Sequence, residues 1–285
     1  MEKFSQIRRI LIVILVLNWL VAFSKIIYGL ITKCASMTAD GVHSFADGAS
    51  NVIGLVGIWV ASKPSDQSHP YGHKKFETIA TLGIAVVLFI AAFDIFRDAF
   101  LRIFTPVVPD VTIFSFAIIL ITMAINVFVM RYEHKKGHEL TSDILICDSM
   151  HTRSDIFASM SVLITLVSIS LGFAYLDVIV ASLIALLIAK SGFDILKMSS
   201  KVLCDGSVIA ASDIEAIVGN IPGVKSIHNI RTRGREDDVH VDLHVRVDAD
   251  TRVDDAHKLS HLIAGTLKGK LSGVTDVIVH IEPNR

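Results

Sequence analysis

The chain changes character partway along. From residue 10 to 200 apolar residues dominate in long runs, whereas from 206 to 285 apolar and polar positions alternate and charges are frequent. A hydrocarbon core of about 30 Å needs roughly 20 helical residues. Six stretches reach that length, at 10–31, 36–61, 77–103, 111–131, 142–172 and 176–198, and predict six transmembrane helices. The first follows Arg8 and Arg9 as a signal peptide would, but it is too long, has no small-residue cleavage site after it and precedes five more spans. The tail predicts a small α+β domain. Ser212 and Glu215 have the spacing of a capping box that opens a helix, and Pro222-Gly223 closes it. Lys225–Arg233 and Val239–Val247 read as strands across the charged turn Gly234–Asp238. Asp254–Leu271 reads as an amphipathic helix and Asp276–Ile281 as a last strand. The fold class is therefore a six-helix membrane domain, residues 1–205, followed by a cytoplasmic αββαβ unit of metallochaperone-like order, residues 206–285, with its helices on one face of the sheet.

Composition narrows the function. The chain is 52% hydrophobic and 19% charged, with 27 Lys and Arg against 28 Asp and Glu. That excludes a disordered chain and argues against a nucleic-acid partner, which calls for a basic excess. Cys34, Cys147 and Cys204 are too few and too scattered for a disulfide framework. Basic residues set the orientation. Lys3, Arg8 and Arg9 precede the first span, Lys63, Lys74 and Lys75 lie between spans two and three, and Arg131, Lys135 and Lys136 lie between spans four and five. The opposite side has Lys33 and Arg102. Both termini are expected in the cytoplasm.

Ionisable groups at bilayer depth are costly and mark function by default. Span two contains Asp40, His43 and Asp47, and span five contains Asp148, His151 and Asp155; both read Asp-x2-His-x3-Asp. Spacings of three, four and seven place each triplet on one helix face. Imidazole nitrogen with carboxylate oxygen suits zinc and similar divalent ions. His43, Asp47, His151 and Asp155 would supply four ligands, enough for a tetrahedral site. In antiparallel spans His43 lies level with Asp155 and Asp47 with His151, leaving Asp40 one turn outward and Asp148 one turn toward the cytoplasm as acidic stepping stones. Helix capping or a salt bridge is the alternative for those two. Asp94, Arg97 and Asp98 are expected to pair or to snorkel, and Arg153 points off the metal face.

Two further groups stand outside the bilayer. Asp66, His69 and His73 have spacings of three and four, with Glu77 four further on, and Pro70 argues against a regular helix there. The segment is either a metal loop or a solvated turn. Six of the twelve histidines fall in the last 80 residues. His240, Asp242 and His244 share one strand face, opposite Val239, Val241 and Leu243; His280 and Glu282 share another, opposite Val279 and Ile281; His257 and His261 share a helix face.

The sequence resembles the cation diffusion facilitator family of divalent-metal/proton antiporters over nearly its whole length. The resemblance is carried by His43-Ser-Phe-Ala-Asp47, His151-Thr-Arg-Ser-Asp155 and the loop Asp66-Gln-Ser-His69-Pro-Tyr-Gly-His73-Lys-Lys-Phe-Glu77. It implies Zn2+ efflux by proton antiport across the cell's inner (plasma) membrane, in a homodimer within the lipid bilayer. In that family the His-x3-Asp form on both helices goes mostly with zinc, often also cadmium or cobalt, and Asp-x3-Asp forms go with iron or manganese. Only His134 and His138 lie between spans four and five, which resembles the short bacterial type. The resemblance further implies an interfacial metal at Asp66, His69 and His73, cytoplasmic metal at His228, His244, His257, His280 and Glu282, and a charge interlock of Lys75 with Asp205 at the dimer hinge. Glu282 stands where a related form has Asp, and His240 and His261 match no family role. An enzyme is not expected: the nearest text to His-Glu-x-x-His is His138-Glu139-Leu-Thr-Ser142, and no Gly-x-Ser-x-Gly occurs. Antiport of Fe2+, Mn2+, Co2+, Ni2+ or Cd2+, and a non-transporting metal sensor or scaffold, are the alternatives.

Overall fold

A computed structural model describes residues 2–32, 44–45, 48–102, 113–170 and 174–284. The chain divides into two compact units, Met1–Ser199 and Ser200–Arg285. The first is helical: α1 (Glu2–Thr32), α2 (Ala49–Ala61), α3 (Lys75–Arg102), α4 (Ile113–Glu139), α5 (Asp143–Ser170) and α6 (Ala174–Leu203), which runs on into the second. Pro64 and Pro70 fall in the α2–α3 connection, where no helical hydrogen bond is lost.

The outside of this unit is as oily as its inside. Ile7, Leu11, Ile58, Ile84, Leu88, Ile144, Leu145, Ile188 and Ile195 form the core, while Val13, Phe93, Phe128 and Leu186 are exposed. Apolar side chains facing outward at this density suit hydrocarbon, not water. Among the described residues three windows are by themselves long and apolar enough to cross a bilayer, Glu2–Ile27, Lys75–Arg97 and Ile179–Leu203, with mean hydropathy 2.5, 2.5 and 2.0. α5 is interrupted by charge, and its polar residues turn inward: Asp148, His151, Thr152 and Ser154 are all buried. Close packing is allowed by small residues. A Cβ at Gly57 would stand 2.3 Å from the Ala80 Cβ and 3.1 Å from Ile144 Cδ1, and one at Gly137 2.7 Å from Ile146 Cγ1. Thus α2 lies against α3 and α5, and α4 against α5, at distances that any side chain would force apart.

One expectation is corrected here. Arg131, Lys135 and Lys136 do not lie in a loop. α4 continues to Glu139 and carries them on its last turns, leaving only 140–142 before α5. Lys136 Nζ donates to Glu139 Oε2 at 2.5 Å and Lys135 lies 3.8 Å from Glu139 Oε1, so pairs at helical spacing help extend the helix past the apolar run.

The second unit holds α7 (Ala211–Val218), β1 (Ser226–Arg235), β2 (Asp238–Asp248), α8 (Val253–Lys270) and β3 (Val274–Asn284). The sheet order is β1-β2-β3, with β1–β2 antiparallel and β2–β3 parallel. The α8 crossover supplies the long connection that a parallel pair needs. Val239, Val241, Leu243, Val245 and Val247 are buried with Ile214, Val218, Ile263 and Leu267 of the two helices. The opposite face carries His240, Asp242 and His244.

The capping box is not formed. The N-cap is Ala210 and makes no side-chain cap bond, so Ser212 is already the second helical residue. The entry is set elsewhere: Thr232 Oγ1 accepts from Val208 N at 3.1 Å and Ile209 N at 3.2 Å, which ties the incoming chain to β1. The hairpin is also tighter than expected, because pairing runs to Arg235↔Asp238 and leaves only Glu236 and Asp237 between the strands.

Candidate functional site

A polar seam runs through the helical unit. On α5, Asp148, His151 and Asp155 follow one face; Asp148 and His151 are buried and Asp155 half-buried. His151 Nε2 lies 4.0 Å from Asp155 Oδ2. Asp148 Oδ1 accepts from Ser50 Oγ at 3.1 Å, and its other oxygen accepts from the Asn51 amide, both on α2. The Asn51 amide oxygen in turn accepts from Asn18 of α1 at 3.2 Å. The partner triplet, Asp40, His43 and Asp47, lies outside the described residues, as does the side chain of Asp98. Arg153, with no role in the sequence reading, donates to Ser191 Oγ at 3.1 Å and so ties α5 to α6.

Two buried residues of the helical unit escaped the sequence reading. Glu133 of α4 is fully buried, and its Oε2 accepts from Thr152 Oγ1 at 3.1 Å. Its signal was weak, because it follows Arg131 at the end of an apolar run and looks like an ordinary boundary charge. Lys25 of α1 is also buried and donates to Ser44 Oγ at 3.0 Å. A lysine inside an apolar run was itself a signal, by the cost rule applied to the two triplets.

The α2–α3 loop brings together Asp66, His69 and His73, whose ligand atoms lie within 4.8 Å of one another. Asp66 Oδ1 accepts from Ser68 N at 2.9 Å and His69 N at 2.7 Å, an Asx-turn that folds the loop back without helix. The His69 backbone bond holds the exposed Asp66 carboxyl below its ordinary range, against a small desolvation cost, with His73 helping. His73 Nδ1 meets the Pro64 carbonyl at 2.9 Å, and its Nε2 stands 3.4 Å from Asp66 Oδ2. Donation from Nδ1 fixes the tautomer that leaves Nε2 a lone pair toward the carboxylate, the orientation a metal ligand needs. Glu77 does not join this group. It is buried at the start of α3, where Oε1 accepts from Ser142 Oγ at 2.6 Å and Ile144 N at 3.3 Å, at the first turn of α5. Lys75 opens α3, and Asp205 follows α6 with a positive φ of 54°.

The second unit brings together His228, His244 and Glu282. His228 pairs with His244 across β1–β2, and His244 with His280 across β2–β3, so three imidazoles line up on one sheet face. A register shift between His228 and Arg231, with Asn229 at φ 50°, marks a bulge that re-aims the strand at that histidine. His244 Nδ1 lies 2.8 Å from Glu282 Oε1, His228 Nε2 3.2 Å from Oε2 and His280 Nε2 3.7 Å from Oε1. His257 is not in this group: its ring meets that of His261 edge-to-face, 4.5 Å between centroids, along α8, the helix that covers the other sheet face. His240 lies instead near Asp276, 3.7 Å away, and Asp238, 4.0 Å away.

Glu282 is held below the usual glutamate range, first by the His244 hydrogen bond, against the upward push of desolvation, and then by His228, His244 and His280. A depressed carboxyl contributes stability that is present above its unfolded pKa and lost as pH falls through its folded value. Acidifying the purified protein from about pH 5 to about pH 3 should therefore lower the melting temperature of this unit, and Glu282→Gln should flatten that limb. An equal acid slope in the two proteins, followed by circular dichroism, would remove Glu282 from the account.

Comparison with known proteins agrees with the two-part plan. Residues 11–204 match the cation efflux transmembrane domain, and residues 209–284 match the cytoplasmic domain of cation efflux proteins. An uncharacterized transporter of Methanocaldococcus jannaschii is 31% identical over 97% of this chain and 98% of its own length. The manganese efflux system protein MneP of Bacillus subtilis is 29% identical over 99% and 98%, and MneS of the same organism 31% identical over 91% and 89%. With both units matched and relatives aligned end to end, this chain belongs to the cation diffusion facilitator family of membrane metal-efflux transporters.

Proposed function

We propose that this transporter exports Zn2+ from the cytoplasm in exchange for protons, by alternating access around a tetrahedral site of His43, Asp47, His151 and Asp155. The observation that carries the reading is the recurrence of Asp-x2-His-x3-Asp in the second and fifth predicted spans. Burial of Asp148 and His151 on α5 supports it, since such groups are kept out of lipid only for a purpose. So do the bonds of Ser50 and Asn51 to Asp148, which hold α2 against the helix that carries His151 and Asp155.

Metal and protons compete for the same lone pairs, because histidine must be neutral and aspartate ionised to bind. A site open to the cytoplasm takes up the ion and sheds protons; once the helices rock, protons from outside displace it. Asp40 and Asp148 serve as acidic steps on either side. Asp66, His69 and His73 form a second, more exposed metal site. His228, His244, His280 and Glu282 make the cytoplasmic unit a sensor or a dimer clamp. In this reading residues 1–205 transport and 206–285 bind metal and dimerise, Lys75 and Asp205 interlock the homodimer, and both termini are cytoplasmic. Zinc uptake into proteoliposomes should collapse when the pH gradient is dissipated with an ionophore; uptake indifferent to the gradient would leave a carrier without antiport.

A second reading has manganese as the cargo, favoured by the names of the two Bacillus subtilis relatives. The two separate in a metal panel: zinc outrunning manganese supports the first, the reverse order the second. Absence of flux for every metal would favour a sensor or scaffold.

A further inference from the structure

Helices α2, α4 and α5 meet around five polar side chains. Ser50 and Asn51 come from α2, Glu133 from α4, and Asp148 and Thr152 from α5; all are buried, Glu133 completely. Asp148 accepts from Ser50 and Asn51, and Glu133 Oε2 accepts from Thr152. The Thr152 hydroxyl that donates to Glu133 Oε2 also stands 3.1 Å from the Asp148 carbonyl, which sets Glu133 beside the turn of α5 that carries Asp148. Every described donor to the pair is neutral. The second oxygen of Glu133 is buried, and no hydrogen bond reaches it from any described residue. Two neighbouring carboxyl groups out of water cannot both stay ionised unaided; they share a proton or hold a cation between them, and a buried oxygen with no donor leaves room for the cation. Helix α4 contributes none of the four transport ligands, so the transport site does not account for a glutamate at this place.

We propose that Glu133 and Asp148, with the hydroxyls of Ser50 and Thr152, form an oxygen-only site for a divalent cation, one turn to the cytoplasmic side of His151. Asn51 orients Asp148 and is not a ligand, because Asn18 occupies its amide oxygen. The inference rests on the transport reading above and adds a station between the cytoplasm and the His–Asp site. Its chemistry differs from that site. Carboxylate and hydroxyl oxygens suit hard ions such as Mn2+, whereas imidazole draws zinc. An incoming ion is thus sampled first by oxygen and then by nitrogen with oxygen.

The test uses Mn2+ alone as probe, with full-length purified protein. Bound Mn2+ is counted by electron paramagnetic resonance in wild type, Glu133→Gln, Asp155→Ala and the double variant. Glu133→Gln keeps an acceptor for Thr152 and removes the charge. The expected result is one Mn2+ fewer per protomer whenever Glu133 is replaced, in both backgrounds, and Mn2+ flux lowered about tenfold or more in the wild-type background. Asp155→Ala reports on the transport site separately: if it changes neither binding nor flux, that reading fails while the Glu133 comparison still stands. An unchanged Mn2+ count in Glu133→Gln overturns the proposal. So does an unchanged count with a shifted pH profile of flux, which would mean that the pair holds only a proton. Should Glu133→Gln fold poorly, Glu133→Asp, whose carboxylate reaches less far, is expected to keep the count and weaken Mn2+ affinity about fivefold or more; wild-type affinity in that variant also overturns it.

Discussion

Proteoliposomes carrying Asp155→Ala are expected to show no zinc flux above protein-free vesicles, a loss of more than about 100-fold, since even outer-shell partners of metal ligands cost 10- to 100-fold. The size of the effect follows from the proposed four-ligand site. Removing one carboxylate leaves three ligands and takes away a negative charge that offsets the ion's own in a medium of low dielectric, where that attraction is strong. His151 Nε2 stands 4.0 Å from Asp155 Oδ2, a separation that a shared ion can span while contacting both. Replacing Asp155 therefore disarms the neighbouring histidine too. The same substitution should leave the melting temperature nearly unchanged, because Asp155 is half-buried and its ion pair with His151 is long. Zinc flux within a few-fold of wild type, measured with a fluorescent indicator inside the vesicles, would place the transport site elsewhere.

Glu77→Ala is expected to destabilise the helical unit by about 2 to 6 kcal/mol, at one lost buried hydrogen bond of about 1 to 3 kcal/mol for each of two donors. Glu77 is buried and accepts from the Ser142 hydroxyl and from the Ile144 amide. That amide is one of the free N–H groups that begin α5, and a carboxylate there also meets the positive end of the helix dipole. Beside it, Thr78 donates to Asp143 at 3.0 Å, so the first turns of α3 and α5 are fastened twice. α3 follows directly on the His73 loop and α5 carries His151 and Asp155, so the fastening fixes the base of the loop group to the helix of two of the proposed transport ligands. Glu77→Gln, which keeps an acceptor, should be milder. Denaturant unfolding in detergent micelles measures both, and a wild-type midpoint for Glu77→Ala would mean the contact carries no stability.

Much of this was legible because membranes impose simple rules. Apolar runs of sufficient length could be counted, and polar residues inside them stood out by their cost. Strand faces followed from a period of two, which is why Val239, Val241 and Leu243 could be separated from His240, Asp242 and His244. Local end signals were less dependable. The Ser212–Glu215 pair had the right spacing, yet the helix starts at Ala211, because the hydroxyl of Thr232, some twenty residues away, holds the chain that enters it. The Arg131–Lys136 segment read as a loop for want of apolar residues, although helix there is sustained by ion pairs and by contact with α5.

From the sequence alone came the number of predicted spans, their expected orientation, the doubled triplet and the family, since each rests on residue type and spacing along one chain. The tertiary structure decided which distant residues share a site. It gathered His228, His244, His280 and Glu282 by strand register and left His257 on the opposite side of the sheet. It also showed Glu77 serving the start of α5 and Glu133 bonding Thr152 of α5. Such meetings depend on helix rotation and on the close approach that Gly57 and Gly137 permit, and neither quantity is written in the spacing of residues along the chain.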